Sequence, residues 1–363
     1  MKNKRISFTV INDLTYDQRM QRICDSLSRA GYHVTLIGRK LPASKPLPDF
    51  SFRCVRLPFF FKKGKIFYLE TQLRYFFYLL FHSFDIYGAV DLDTILPNML
   101  VARIKWRKWV YDAHEYFTEV PEVVERPGIK KAWEWIEKIS VPHADLAYTV
   151  SPGLAELFYK KYQKEFGVIR NVPFRTMYIQ KPASGITFIL YQGALNEGRA
   201  LEYLISAVKD LPVLVKIAGE GDLSTALREQ VAASGQSQQI EFLGHLTPSE
   251  LRELTPQAWL GFNVLENKGL SYYYSLANKC FDYLQAGVPC LCSPFPEYQN
   301  LAKEYPAFIF AAANTDEIRL CIEELLNHPE SHQQLSEACK IAAEKLCWEE
   351  EEKLLLAFYE NRI

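Results

Sequence analysis

A strand-like run, an amphipathic helix and a second strand-like run follow one another at the start of the chain, and this order constrains the fold more than any other feature. Residues 6–11 read ISFTVI, an apolar run of strand length. Residues 17–30 place Met20, Ile23, Leu27 and Ala30 at helical spacing. One of Asn12, Asp13 and Asp17 is positioned to cap that helix, and Gly31 supplies its stop. HVTLIG at 33–38 is the next strand. Two strands joined by a helical crossover form the unit of a parallel sheet covered by helices.

The alternation continues. Strands are expected at 52–57, 85–90, 109–113 and 145–150, and helices at 66–82, 94–103 and 130–139. Ser151 and Pro152 suit the cap and first turn of a further helix. The stretch 171–186 has two prolines and no clean period, and reads as a linker. A second block follows, with strands at 187–192, 213–219, 239–244, 259–264, 288–293 and 307–311. Its helices are expected at 199–208, 222–233, 316–327 and 332–346. A last helix at 348–360 offers Leu354, Leu355 and Phe358 for packing. The expected fold is therefore α/β, with two Rossmann-like domains of parallel sheet and a cleft between them. The boundaries read as 1–175, 176–345 and a C-terminal helix, 346–363, packing back toward the first domain. Ligands of such sheets bind beyond the C-terminal ends of the strands.

Composition narrows the function. Lys plus Arg is 42 and Asp plus Glu is 43, so the basic excess of a nucleic-acid binder is missing. The eight cysteines have irregular spacings and no paired CxxC, which argues against a zinc site and for reduced, packed thiols. Cys290 and Cys292 form CxC within a strand-like run. No apolar run reaches membrane-spanning length, and the basic-then-apolar start is too short for a signal peptide. A cytoplasmic chain is the expectation.

The loops after strands carry the candidate chemistry. In the first block, Asp91 and Asp93 follow one strand, and Asp112, His114, Glu115 and Glu119 end or follow another. Histidine among carboxylates suits acid–base work or the orientation of hydroxyls, and His114, Asp93 and Glu115 are the candidate catalytic residues. In the second block, Gly193 follows a strand and GALNEGR leads into a helix near Arg199, a setting for phosphate. Gly219 and Gly221 flank Glu220, the candidate ligand contact of that loop, and Asp222 is placed to cap the next helix. In SLANKCFDYLQAGVPCLCSPFPE, at 275–297, Ser275 or Asn278 is placed as a cap. Lys279 would meet a diphosphate and Asp282 the hydroxyls of a sugar or ribose. Each has a plainer reading as a turn, a cap or a solvated ion pair.

With these residues the chain resembles glycosyltransferase family 4 along nearly its whole length. DxRMxRxxxSLxxAGYHVTLIGR is similar to the opening of bacterial members. VYDAHEYFTE at 110–119 resembles the acceptor-side histidine motif, and LANKCFDYLQAGVPCLCSPFPE the donor motif, the most specific of the three. The resemblance implies a GT-B fold and sugar transfer with retention of configuration. It implies no metal and no cofactor, and a nucleotide-diphosphate sugar as donor. It places the donor on the C-terminal domain and a glycan or lipid-linked acceptor on the N-terminal one. Gly193, Arg199, Glu220, Asn278, Lys279 and Asp282 become donor-side residues, with Arg199 and Lys279 as diphosphate contacts. The chain departs from the pattern at Tyr274, where a glutamate is usual, at Ala194, where a basic residue is common, and at NDLTYDQR, which replaces a first glycine-rich loop. A nucleotide-sugar 2-epimerase and an inactive sugar- or partner-binding homologue are the alternatives. Residues 58–84 mix aromatic residues with Lys62, Lys63, Lys65 and Arg74, which suits an anionic membrane surface. The expectation there is an exposed aromatic loop at 58–66, followed by a helix that buries most of its apolar side chains.

Overall fold

The computed structural model describes residues 3–15, 17–42, 44–176 and 187–362. Residues 177–186 of the expected linker lie outside the described residues. The chain divides into two compact units, Met1–Arg170 with Glu351–Ile363, and Asn171–Glu350.

The first unit is built on strands β1 (Arg5–Thr9), β2 (His33–Lys40), β3 (Arg53–Pro58), β4 (Ile86–Val90), β5 (Lys108–Ala113), β6 (Leu146–Thr149) and the two-residue β7 (Gly167–Val168). Their order in the sheet is β3-β2-β1-β4-β5-β6-β7, with every pairing parallel. Ile6 and Phe8 are buried on one face of β1, and Ser7 and Thr9 on the other. A strand covered on both faces is what a parallel sheet between two helical layers requires. The helix Gln18–Arg29 begins where Asp17 accepts the Met20 N–H at 3.1 Å, and buries Met20, Ile23 and Leu27. It ends before Gly31, whose φ of 98° is the left-handed conformation that closes a helix cheaply only in glycine. Ser151 caps the helix Pro152–Tyr162 by accepting the Leu154 N–H.

The C-terminal helix runs Trp348–Arg362, and its residues from Glu351 onward belong to the first unit. Leu355 and Tyr359 are buried there, and the Tyr359 ring stands edge-on to Tyr32 and Tyr148. Of the three expected packing residues, Leu354 is exposed instead. It lies one residue before Leu355, about 100° around the helix and off the buried face.

The second unit carries β8 (Phe188–Gln192), β9 (Leu214–Ala218), β10 (Ile240–Gly244), β11 (Leu260–Asn263), β12 (Cys290–Cys292) and β13 (Phe308–Phe310). Their order is β10-β9-β8-β11-β12-β13, again all parallel. Both sheets thus reverse direction beside their own first strand, between β1 and β4 and between β8 and β11. Loops splay apart at such a switch point and leave room for a ligand.

Three local expectations are corrected. Asp222 does not cap the following helix, Ser224–Ala233; Leu223 precedes it, and the Ser224 hydroxyl accepts the Gly221 N–H. Neither Ser275 nor Asn278 caps the helix Asn278–Gln285: Ala277 is the residue before it, Asn278 opens it, and the Ser275 hydroxyl donates to the Tyr272 carbonyl. The third concerns the helix Gly64–Phe81, which buries Phe67, Thr71, Tyr75 and Leu79 but leaves Ile66, Leu69, Leu73, Phe77 and Phe81 exposed. That helix is apolar around most of its circumference, and only the i, i+4 stripe through Phe67 is fully buried. Among the described residues, no helix is long and apolar enough to cross a membrane.

Candidate functional sites

At the switch point of the first unit, three charged side chains gather around His114. Asp112, at the end of β5, is fully buried and accepts from Arg19 Nη2 at 2.9 Å. Arg19, 3% exposed, also donates through Nη1 to the Ile169 carbonyl. His114 Nε2 lies 3.1 Å from the second oxygen of Asp112. On the other side, Asp91 accepts the His114 backbone N–H at 2.8 Å and holds Oδ2 3.6 Å from Nδ1. Asp91 itself has φ 55° and ψ 172°, a conformation costly for a residue with a side chain. The strain turns its carboxylate back over β5.

These contacts decide charge states. Burial pushes the His114 pKa down, but Asp112 and Asp91 outweigh it and raise the value to about 9. At neutral pH His114 is an imidazolium ion, hence a donor and not a base. Burial raises Asp112, yet Arg19 and His114 bring it below its ordinary value. Asp93 differs: it is 4% exposed, and burial, then the nearby Asp91 and Glu115, drive its pKa well up. Of the candidates in this unit, the structure therefore places Asp91 and Asp112 against His114. Asp93 is a buried acid with a raised pKa, and Glu115 is exposed on the loop. Arg19 was missed as a site residue because nothing in its helical spacing marks a partner 93 positions away.

A stability prediction follows from His114. Its folded pKa of about 9 lies above the ordinary value of 6.5, so the folded state binds the extra proton. The stabilisation is fully present below about pH 6.5 and is lost as the pH rises through about 9. The stability difference between the native chain and His114→Asn, measured by urea unfolding, is expected to shrink between pH 6 and pH 10. A pH-independent difference would show that the imidazolium is not what these carboxylates hold.

In the second unit, the loops after β8 and β9 are laced together. Gly193 donates to the Ala218 carbonyl, Leu195 to the Glu220 carbonyl, and Leu223 to the Leu195 carbonyl. A Cβ on Gly219, whose φ is 147°, would sit 1.8 Å from the Gly193 carbonyl oxygen. Gly219 is therefore glycine because two backbones touch. Gly193 and Ala194 are exposed, and a Cβ on Gly193 would meet Lys279 Nζ at 3.2 Å. Lys279 Nζ stands 3.9 Å above the Tyr191 ring, and the Arg199 guanidinium 4.6 Å above the Tyr272 ring. Neither cation has a carboxylate partner among the described residues, and Arg199 Nε is buried without an acceptor. Burial, then the charge of Arg199, push the Lys279 pKa down to about 7. Two cations that repel one another, held over aromatic faces beside an open glycine, form a site that an anion would relieve.

The other candidates stand apart from this pair. Glu220 is engaged by both terminal nitrogens of Arg228, which hold its pKa at about 2. Asp282 accepts from Gln192 Nε2 at 2.9 Å, at the end of β8. Asn278 is exposed beside Lys279, and Tyr274 is half-buried with its ring edge-on to Tyr273. Beneath Lys279, the thiols of Cys280, Cys290 and Cys292 lie within 3.4–3.7 Å of one another. Sequence reading found no such cluster because Cys280 sits on a helix ten positions before Cys290.

Residues 179–341 match the family described as glycosyl transferases group 1. No curated protein matches the chain in sequence. Among solved structures, sucrose-phosphate synthase from Thermosynechococcus elongatus is similar over 99% of this chain and 98% of its own, with TM-score 0.81 and 14% identity. Anabaena HepE in complex with UDP-glucose is similar over 99% and 100%, with TM-score 0.77 and 11% identity. A Listeria monocytogenes protein described as a UDP-N-acetylglucosamine 2-epimerase is similar over 93% and 91%, with TM-score 0.61 and 13% identity. The chain thus has the GT-B type of fold, two parallel-sheet Rossmann-like units, and the group 1 glycosyl transferase match lies in its second unit.

Proposed function

We propose that the chain is a retaining glycosyltransferase that takes a sugar from a nucleotide-diphosphate donor and passes it to a glycan or lipid-linked glycan, in the synthesis of cell-surface polysaccharide. The observation that carries this reading is the pair Lys279 and Arg199 beside Gly193, two cations without carboxylate partners in the unit that matches the group 1 glycosyl transferases. The pair would bind the diphosphate and stabilise the charge that grows on it as the sugar–oxygen bond breaks. Asp282, with Gln192 behind it, would receive ribose or sugar hydroxyls, and Asn278 would border the pocket. Glu220 contributes to this reading only if a ligand displaces Arg228. His114, as an imidazolium, would donate a hydrogen bond to a sugar hydroxyl, with Asp91 and Asp112 setting its orientation. Glu115 would act more remotely, through charge, and Asp93 as a buried carboxyl whose pKa is driven up. Metal is not required in this mechanism, because the two cations supply the positive charge.

The 2-epimerase reading rests on the same anion site and on a histidine between carboxylates, which suits proton transfer at a sugar carbon. Incubating the purified chain with UDP-, GDP- and ADP-sugars separates the readings. Release of nucleoside diphosphate, with transfer to added glycan, supports the transferase. A C2-inverted sugar still joined to nucleotide supports the epimerase. Nucleotide binding with neither product supports an inactive homologue.

The acceptor side includes a membrane expectation. Glu70 accepts the N–H groups of Phe60 and Phe61 and pairs with Arg74, whose guanidinium lies over Phe60. This tether presents Phe60, 84% exposed, and Phe61 beside Lys62, Lys63 and Lys65. The exposed stripe of the helix Gly64–Phe81 continues the apolar surface. Such a surface suits the headgroup layer of an anionic membrane, and would make the protein a cytoplasmic enzyme visiting the inner membrane face. Flotation with anionic vesicles is expected at low salt and should fall as salt screens the lysines. Replacing Phe60 and Phe61 by serine should reduce it about tenfold or more, at roughly 1.5–3 kcal/mol per buried large side chain. An absence of flotation at low salt would remove the membrane from the proposal.

A further inference from the structure

We propose that Cys280, Cys290 and Cys292 form a closed site for a thiophilic metal ion, zinc by its chemistry, in the second unit. The three sulfurs come together for a structural reason. Cys290 and Cys292 are two apart on β12, so both point to the same face of the sheet. The helix Asn278–Gln285 lies on that face and brings Cys280 down between them, with Sγ 3.6 Å from Cys290 and 3.7 Å from Cys292. The remaining edge, Cys290 to Cys292, is 3.4 Å. All three side chains are at most 1% exposed. Zinc about 2.3 Å from each of three tetrahedral thiolates sets the sulfurs roughly 3.8 Å apart. The cluster needs to open by only a few tenths of an ångström to accept it.

Close-packed thiols alone can reach such distances, so the fourth position decides the matter. Asn263 ends β11 directly beside Cys292 in the parallel ladder. Its amide is 1% exposed, with Nδ2 4.0 Å from Cys292 Sγ and 3.0 Å from the Tyr298 hydroxyl, while Oδ1 is buried with no partner. A buried amide oxygen without a donor costs free energy, and such groups call for a missing ligand. Turning the amide over would bring Oδ1 to the position Nδ2 holds, 4.0 Å from Cys292 Sγ, from which a shift of a few tenths of an ångström would make it the fourth donor of a Cys₃ set. Loading would form three zinc–sulfur bonds, break three S–H bonds and release three protons to solvent, with no electron transferred. The resulting site carries one net negative charge, and Lys279 supplies the neighbouring cation. With four protein ligands and no open position, the ion would be structural and would take no part in sugar transfer. Enclosure of the cluster implies that metal enters as the unit folds.

Refolding the reduced, chelator-treated full chain with graded cadmium tests this, because cadmium thiolates absorb in the ultraviolet and zinc present during refolding displaces cadmium from such sites. One cadmium ion per chain is expected, with a charge-transfer band that zinc abolishes. Cys292→Ser and Cys280→Ser should each weaken binding more than about tenfold, since even an outer partner of a metal ligand is worth 10–100-fold. Cys321→Ser, whose thiol faces the Phe310 carbonyl outside the cluster, should bind as the native chain does. Because a buried variant can fail to fold, zinc is also expected to raise the melting temperature of the native chain and of Cys321→Ser alike. No charge-transfer band in the native chain would overturn the site. So would a band of undiminished strength in both cluster variants.

Discussion

Lys279→Ala is expected to weaken binding of a nucleoside diphosphate by about 10- to 100-fold and to lower donor turnover by about 100- to 1000-fold. The two figures have different origins. A hydrogen bond to a charged group contributes about 1.5–3 kcal/mol, which is one to two decades of affinity. A preorganised charge facing the atoms where negative charge develops contributes a further factor in the transition state, of the size seen when an oxyanion donor is removed. Lys279 qualifies because its ammonium lies over the Tyr191 ring, next to exposed Gly193, with no carboxylate partner among the described residues. Arg199→Ala should act in the same direction. Gly193→Ala should resemble Lys279→Ala, since the added methyl meets Nζ at 3.2 Å and forces an L residue to φ 139°. Isothermal titration with UDP, GDP and ADP gives the affinities, with circular dichroism as the check on folding. Native affinity in Lys279→Ala for the nucleotide the native chain binds would show that the diphosphate lies elsewhere.

Arg19→Met should destabilise the protein by about 3–5 kcal/mol, the usual cost of leaving a buried charge without its partner. Arg19 and Asp112 are both almost completely shielded, and their contact at 2.9 Å is short and direct. Removing the guanidinium takes from the buried Asp112 carboxylate its closest counter-ion, leaving only His114 beside it, and leaves the Ile169 carbonyl without its donor. Asp112→Asn combined with Arg19→Met should recover part of the loss, because the uncompensated charge is gone while the shape is kept. The double variant also separates stability from function, since it is expected to fold yet leaves His114 without its buried counter-ion. Urea unfolding at pH 7 measures all three chains. A loss below about 1 kcal/mol in Arg19→Met would mean that water reaches the pair.

Much of the fold was legible because it rests on local signals. The expected strands at 85–90, 109–113 and 187–192 became Ile86–Val90, Lys108–Ala113 and Phe188–Gln192, since buried parallel strands are short apolar runs bounded by turns. The helix Pro248–Leu254 was missed although its Thr247–Glu250 capping box is written in the chain. It buries no residue, so no apolar period announced it. The helix Pro296–Glu304 was passed over for a different reason: it follows β12 inside a segment read for its motif.

By itself, the sequence determined the two parallel sheets, the glycine turns and the placement of candidate residues on loops after strands. These depend on periodicity and on backbone preferences that act within a few residues. Tertiary structure alone decided which candidates meet. It joined Arg19 to Asp112 and Asp112 to His114, buried Asp93 and so drove its pKa up, engaged Glu220 with Arg228, and drew Cys280 onto the Cys290–Cys292 face. It also left the outer face of the helix Gly64–Phe81 uncovered, which helical spacing could not distinguish from a packed one. The physical reason is common to all of these. Charge state, exposure and hydrogen-bond partners are set by atoms a few ångströms away in space, and a parallel fold brings those atoms from positions far apart in the chain.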